Sequence, residues 1–137
     1  MAAGGNFGFN EGFNVSMPFP FMFDSPIGIQ AGFRATQTNL SGSILNDEVR
    51  NQQFITLGAF HRPVDCGLQF GAAYDWLHEE YWYTADLTQL RLEASLVNRF
   101  GHEFGVMGAI RMYEDDQAIE DVALVSRDQY LAFYRRR

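Results

Sequence analysis

Side-chain character alternates with a period of two near the start of this chain, and the alternation returns in segment after segment between turn-like gaps. From Phe7 the odd positions read Phe7, Phe9, Glu11, Phe13, Val15, Met17 and Phe19; the even ones read Gly8, Asn10, Gly12, Asn14, Ser16 and Pro18. Successive side chains of a strand point to opposite faces, so this pattern describes a sheet with one apolar face and one small, polar face. The rhythm recurs at 27–37, 53–61, 66–76, 89–96 and 103–112, and an aromatic, less regular segment follows at 129–136. Facing is ambiguous in the third segment, where Ile55, Leu57 and Ala59 compete with Phe54 and Phe60. The expected fold class is all-β, an antiparallel up-and-down meander of about seven strands in a single domain over residues 1–137.

Most of these segments are about 9–11 residues long, enough to cross a bilayer at a strong tilt, whereas the mean strand of a soluble domain has about five or six. The connections alternate between short (20–26, 62–65, 98–102) and long, acidic ones (38–52, 77–86, 114–128), as outer-membrane barrels are built. Alternation alone fits either a membrane barrel, apolar outside, or a lipocalin-like soluble barrel, apolar inside. The other face carries Gly8, Asn10, Gly12, Asn14, Gln30, Gly32, Gly67, Gln69 and Gly71. Glycine weakens a solvated strand, whereas small polar side chains fit the crowded interior of a narrow barrel. Aromatic residues at strand ends (Phe21, Phe23, Trp76, Tyr81, Trp82, Tyr83) suit interfacial girdles. All ten basic residues are arginine, while soluble β-proteins commonly guard their edges with lysine. The membrane arrangement, an incomplete outer-membrane-type β-barrel, is the expectation these features favour.

A formal charge of -7, from 10 basic and 17 acidic residues, argues against nucleic acid as a partner. Cys66 is the single cysteine, which leaves neither an internal disulfide nor a cysteine zinc cluster and reads as a small apolar side chain. No window approaches the roughly 20 apolar residues of a membrane helix, and residues 1–20 lack the pattern of a secretory signal. With a short first connection, strand one would start on the extracellular side, a fault in topology unless at least one strand precedes it. At the other end Arg135, Arg136 and Arg137 follow Tyr134, where a barrel strand is expected to finish in an aromatic residue. The expectation is therefore an internal fragment missing strands at both ends, with a signal peptide upstream, the bacterial outer membrane as destination and the lipid bilayer as partner. Oligomeric state is not legible.

His78, Glu79 and Glu80 form the most enzyme-like triplet, expected in the loop after strand four. On an extended segment His78 and Glu80 share a side and Glu79 does not, so the pair makes a weak loop site, poor for metal. A solvated polar loop is the default reading. His61 and His102 fall near short turns, and no serine sits in a nucleophile-elbow context, so no catalytic residue, cofactor or metal ligand is assigned. The acidic run Glu114, Asp115, Asp116, Glu120, Asp121 lacks the ordered oxygen spacing and turn glycine of a calcium loop. Arg34, Arg91, Glu93, Glu103 and Arg111 lie on the polar face and are candidate lumen-facing charges. They either pair into a plug or line a passage, and pairing is expected because an isolated charge in a narrow barrel is costly. Glu11 interrupts the apolar face, which a bulge at Glu11–Gly12 or a position above the membrane edge would accommodate.

Several stretches carry a resemblance: Gly5-Asn6-Phe7-Gly8-Phe9-Asn10-Glu11-Gly12-Phe13-Asn14, Arg50-Asn51-Gln52-Gln53-Phe54, Gly67-Leu68-Gln69, Asp75-Trp76-Leu77-His78-Glu79-Glu80, His102-Glu103-Phe104-Gly105 and Phe133-Tyr134-Arg135-Arg136. Together they resemble an uncharacterised family of secreted or outer-membrane-like β-barrel proteins from planctomycete bacteria. The resemblance implies location and fold and carries no functional residue across. The functional reading is a structural or passive-pore component of a bacterial outer membrane without catalytic activity. The alternatives are a soluble lipocalin-like barrel holding an apolar ligand among Phe7, Phe13, Phe33, Phe70 and Leu92, and an outer-membrane enzyme using His78 and the long loops.

Overall fold

The computed structural model describes residues 7–19, 26–39, 49–63, 65–81, 83–114, 118–119, 122–123 and 127–136. The strands among them are β1 (Phe7–Pro18), β2 (Ile27–Asn39), β3 (Val49–His61), β4 (Gly67–Glu80), β5 (Thr84–Val97), β6 (His102–Glu114), β7 (Ala118–Ile119), β8 (Val122–Ala123) and β9 (Gln129–Arg136). Seven of them form one antiparallel up-and-down sheet in the order β1-β2-β3-β4-β5-β6-β9, and β7 pairs with β8 alone. β1 and β9 are its edges, and the sheet is not closed into a barrel.

Alternation places the seven strands but underestimates the length of β2 to β6. Strands β1 to β6 run to 12–14 residues. The long connection expected at 77–86 does not exist: the β4–β5 ladder continues through Leu77–Leu87, His78–Asp86 and Glu79–Ala85 to Glu80–Thr84. His78, Glu79 and Glu80 are therefore strand residues, and the turn is confined to 81–83, where the Tyr81 amide donates to the Tyr83 carbonyl at 2.7 Å. These positions show no apolar period because polar cross-strand partners, described below, hold the pairing. The alternation of short and long connections fails at this point. Asp115, Asp116, Glu120, Asp121, Phe21, Phe23 and Trp82 lie outside the described residues.

The expected bulge at Glu11–Gly12 is also absent. The β1–β2 ladder passes unbroken through Glu11–Ala35 and Gly12–Arg34, and Glu11 is simply exposed, so its charge needs no local rearrangement. The irregularity lies instead in the β5–β6 ladder between Thr88 and Gln89, where Thr88 pairs with Tyr113 and Gln89 with Arg111, leaving Met112 unmatched.

The distribution of side chains is inverted relative to a water-soluble sheet. Phe7, Phe13, Leu57, Leu68, Leu96 and Phe104 share one face and are each more than half exposed. The opposite face buries Thr56, Asp75, Glu79, Ser95 and Glu103. Strand β3 takes its facing from Thr56, which stands opposite Asp75 in register, so Phe54 and Phe60 lie on the polar side and Leu57 on the apolar side. The sheet curls toward its polar side. One cavity of about 560 Å³ is lined jointly by Asn10 and Asn14 of β1 and Arg91 of β5. Another, of about 380 Å³, is lined by Ser16 of β1 and Arg135 of β9, so both edge strands border the same concave space.

Glycine on the concave face has a packing role. Phe60 stands directly opposite Gly28 on β2 and Gly71 on β4. A Cβ at Gly28 would fall 2.5 Å from Cζ of Phe60, so the hydrogen side chain is what seats the ring. The turn joining β5 to β6 uses a different device. Asn98 Oδ1 accepts from the amides of Phe100 at 2.9 Å and His102 at 3.0 Å, while Gly101 takes the left-handed conformation at φ 79°.

Candidate functional site on the concave face

Three ion-paired centres run across the concave face from β3 to β9. The first is built on Asp75, which is 1% exposed. Register sets Thr56 and Gln89 on either side of it. Thr56 Oγ1 donates to Oδ1 at 2.7 Å and Gln89 Nε2 to Oδ2 at 3.1 Å. Arg91 closes the shell with a fork, Nε to Oδ2 and Nη2 to Oδ1, the latter at 2.8 Å. Four donors on two oxygens satisfy a buried carboxylate, and the bidentate geometry is the strongest form of guanidinium pairing.

The second centre joins β3 to the end of β4 and its turn. Glu79 Oε1 accepts from Arg50 Nε at 2.5 Å and from the Tyr83 hydroxyl at 3.0 Å. Burial, followed by the bond and proximity to the Glu79 carboxylate, raises the pKa of Tyr83 above its ordinary value. The third centre links β5, β6 and β9. Glu103, with no exposed side-chain surface, accepts from Ser95 Oγ and Arg135 Nη2, each at 2.8 Å. The same Arg135 nitrogen reaches Glu93 at 2.8 Å, and its guanidinium lies 4.3 Å from the centroid of the Phe133 ring. β1 and β2 are joined across this face by Gln30 Nε2 donating to Asn14 Oδ1 at 3.1 Å, with no ion pair between them among the described residues.

Arg34, Arg91, Glu93, Glu103 and Arg111 all fall on this face. Arg91, Glu93 and Glu103 are paired, though with Asp75 and Arg135 rather than with one another. Arg111 is exposed beside β9, and its backbone amide donates to Asp128 Oδ1 at 2.9 Å. Arg34 is exposed between Gly12 on β1 and Phe54 on β3. Sequence reasoning misses Arg50, because it lay in an expected loop, and Arg135, because it read as a ragged end. The available signal was parity: Arg135 is an even number of positions from Leu131 and Phe133, the inward residues of its strand.

His78 and Glu80 lie on the opposite, convex face, and His78 is paired with neither Glu79 nor Glu80. Its Nδ1 is 2.9 Å from Asp86 Oδ1, which also accepts from Trp76 Nε1 at 3.1 Å. The Trp76 and His78 rings stack at 5.7 Å. His61 stacks on Phe70 at 4.9 Å, and His102 stacks on Tyr134 with its Nδ1 2.6 Å from the hydroxyl. Each histidine thus sits with an aromatic ring on the apolar face, His61 and His102 at one end of the strands and His78 toward the other. Among the described residues no three His, Cys, Asp or Glu side chains gather as a metal site.

These features define a class: an open, curled antiparallel sheet with ion-paired charges on its concave face and apolar side chains exposed on its convex face. The chain belongs to a family of unknown function (DUF6666), whose family model matches residues 1–137. No curated protein and no solved structure matches it.

Proposed function

We propose that this sheet is part of the wall of a bacterial outer-membrane β-barrel, with the convex face toward lipid and the concave face toward the lumen, serving as a structural or passive-pore component. The observation that carries the reading is the inverted burial: phenylalanine and leucine are exposed where Glu103 and Asp75 are buried. Water-soluble monomers rarely expose a contiguous apolar area beyond a few hundred Å². A bilayer removes that cost, and the polar lumen keeps the charges solvated or paired.

Two further observations support it. The register row through Pro18 continues as Gly28, Phe60, Gly71, Glu93, Met107 and Leu131. The β1–β2 ladder stops at this row, whereas the β5–β6 ladder runs past it to Val97–Glu103, and β6–β9 ends early at the other side, at Ala109–Gln129. Such a progressive stagger is the shear that tilted barrel strands require. The histidine–aromatic stacks at the two ends of the convex face suit the two interfaces of a membrane. β1 and β9 run in the same direction, so an antiparallel closure takes an odd number of further strands between them. The planctomycete, outer-membrane-like origin that the sequence resembles belongs to the same proposal. A lipocalin-like cavity has less support, because Phe7, Phe13, Phe33, Phe70 and Leu92 share the convex face.

Refolding into phosphatidylcholine–phosphatidylglycerol vesicles tests the reading. The expected result is β-structure that floats with the vesicles and resists added protease. A monodisperse monomer that stays soluble at high concentration without detergent or lipid would overturn it.

A further inference from the structure

We propose that Arg34 is the centre of a binding site for a small oxyanion on the concave face, a site that does not depend on what covers the convex one. Every other arginine placed on this face within β3–β5 is matched by a buried carboxylate: Arg50 by Glu79 and Arg91 by Asp75. Arg34 has no hydrogen-bonded or ion-paired partner among the described residues, and it borders the cavity of about 560 Å³. The cavity's other cation, Arg91, is neutralised within its fork with Asp75, so the uncompensated charge there is that of Arg34.

The strands on either side shape the space. Gly12, directly opposite on β1, places no side chain beside the guanidinium, and Phe54, directly opposite on β3, walls it with a ring. A Cβ at Gly12 would fall 3.3 Å from the Arg34 Cβ, so any larger residue there would encroach on the base of the side chain. Asn14 supplies a second donor. Its Oδ1 is taken by Gln30, and its Nδ2 lies over Gly32, 3.5 Å from where a Cβ would be, inside the same cavity. A planar fork of N–H groups, with a neutral amide donor lining the same cavity, matches the oxygens of a carboxylate or phosphate, and a spherical anion would use that fork poorly.

The test is titration of the folded chain in a zwitterionic detergent with inorganic phosphate, acetate and chloride, following amide and side-chain NMR shifts. Saturable binding of phosphate or acetate, tighter than chloride, is expected. Which of the two binds more tightly identifies the class of oxyanion, and either order is consistent with the site. Arg34→Gln is expected to weaken binding by about tenfold or more, the effect of losing a charged bidentate contact. Arg34→Lys should retain part of the affinity and lose the preference over chloride, while Arg136→Gln, on the convex face, should leave binding unchanged. Absence of saturable binding to the wild-type chain, or equal binding by Arg34→Gln, would overturn the site. Vesicle insertion is read separately, so failure here and failure of the membrane reading are distinguishable.

Discussion

Glu103 and Arg135 stand directly opposite each other on β6 and β9, and the carboxylate of Glu103 is wholly withdrawn from solvent while its arginine is half exposed. Removing the arginine therefore leaves a buried carboxylate without its guanidinium, while Ser95 still donates to it. Breaking a fully buried pair costs about 3–5 kcal/mol, and partial exposure of Arg135 screens some of that. Arg135→Met is expected to lower unfolding free energy by about 2 kcal/mol in urea titrations of the lipid- or detergent-folded chain. Glu103→Gln should cost less, since the amide can still accept from Ser95 and Arg135 keeps Glu93. A larger loss for the glutamine than for the methionine variant would contradict this account.

Gly28 and Phe60 give a steric prediction. Gly28→Val puts two methyl groups where the Phe60 ring lies, and overpacking of this kind costs about 1–3 kcal/mol. Phe60→Ala alone should also destabilise, by loss of contacts over Gly28 and Gly71. The combination is expected to be less harmful than the sum of the two, because each relieves or forfeits the same contact. Strict additivity in denaturant midpoints would show that the ring does not occupy the seat the glycines leave.

Tyr83 supplies a pH dependence. Its pKa is raised in the folded chain, so folding favours the neutral phenol, which donates to Glu79. A group with a raised folded pKa contributes stability that is fully present below the unfolded value of about 10 and lost as pH rises through the higher folded value. Spectrophotometric titration at 295 nm should show a tyrosine component that ionises above the ordinary phenol value. Tyr83→Phe should remove that late component and flatten the decline of stability above pH 10 relative to wild type. An unchanged alkaline titration in the variant would refute the assignment.

The sheet was legible in the sequence wherever one face alternates cleanly, as in β1, β2, β4 and β6. It was illegible where pairing rests on polar partners. Residues 77–80 and 84–86 read as loop because His78, Glu79, Thr84 and Asp86 have no apolar period, yet the bonds of Asp86 to Trp76 and of Glu79 to Arg50 hold this end of the hairpin. The facing of β3 was undecidable from Phe54 and Phe60, since inward aromatics violate the polar rule. It follows from register, which sets Thr56 opposite Asp75 and seats Phe60 between Gly28 and Gly71, while Phe54 lies between Arg34 and Leu77. Five charges of the concave face were identifiable by parity, but their partners were not. Arg135 is distant in sequence from Glu93 and Glu103, and β9 comes alongside β6 only after the β7–β8 excursion.

Leu57 offers the sharpest separation between a lipid-facing and a water-facing convex surface. It lies midway along β3, between Gln53 and His61 on the same face, and is 56% exposed. On a surface open to water, Leu57→Arg would be nearly neutral, because the new charge is solvated and no packed contact is lost. At the midplane of a bilayer the same change costs about 2–4 kcal/mol, falling toward zero near the interfaces. Arginine at Gln53, near the polar end of the strand, is the matched control and should cost less in the vesicle-folded chain. The expected pattern is a depth-dependent penalty in folding titrations, large at Leu57 and small at Gln53. Equal, near-zero penalties at both positions would mean that the exposed leucines of this sheet meet water and not lipid.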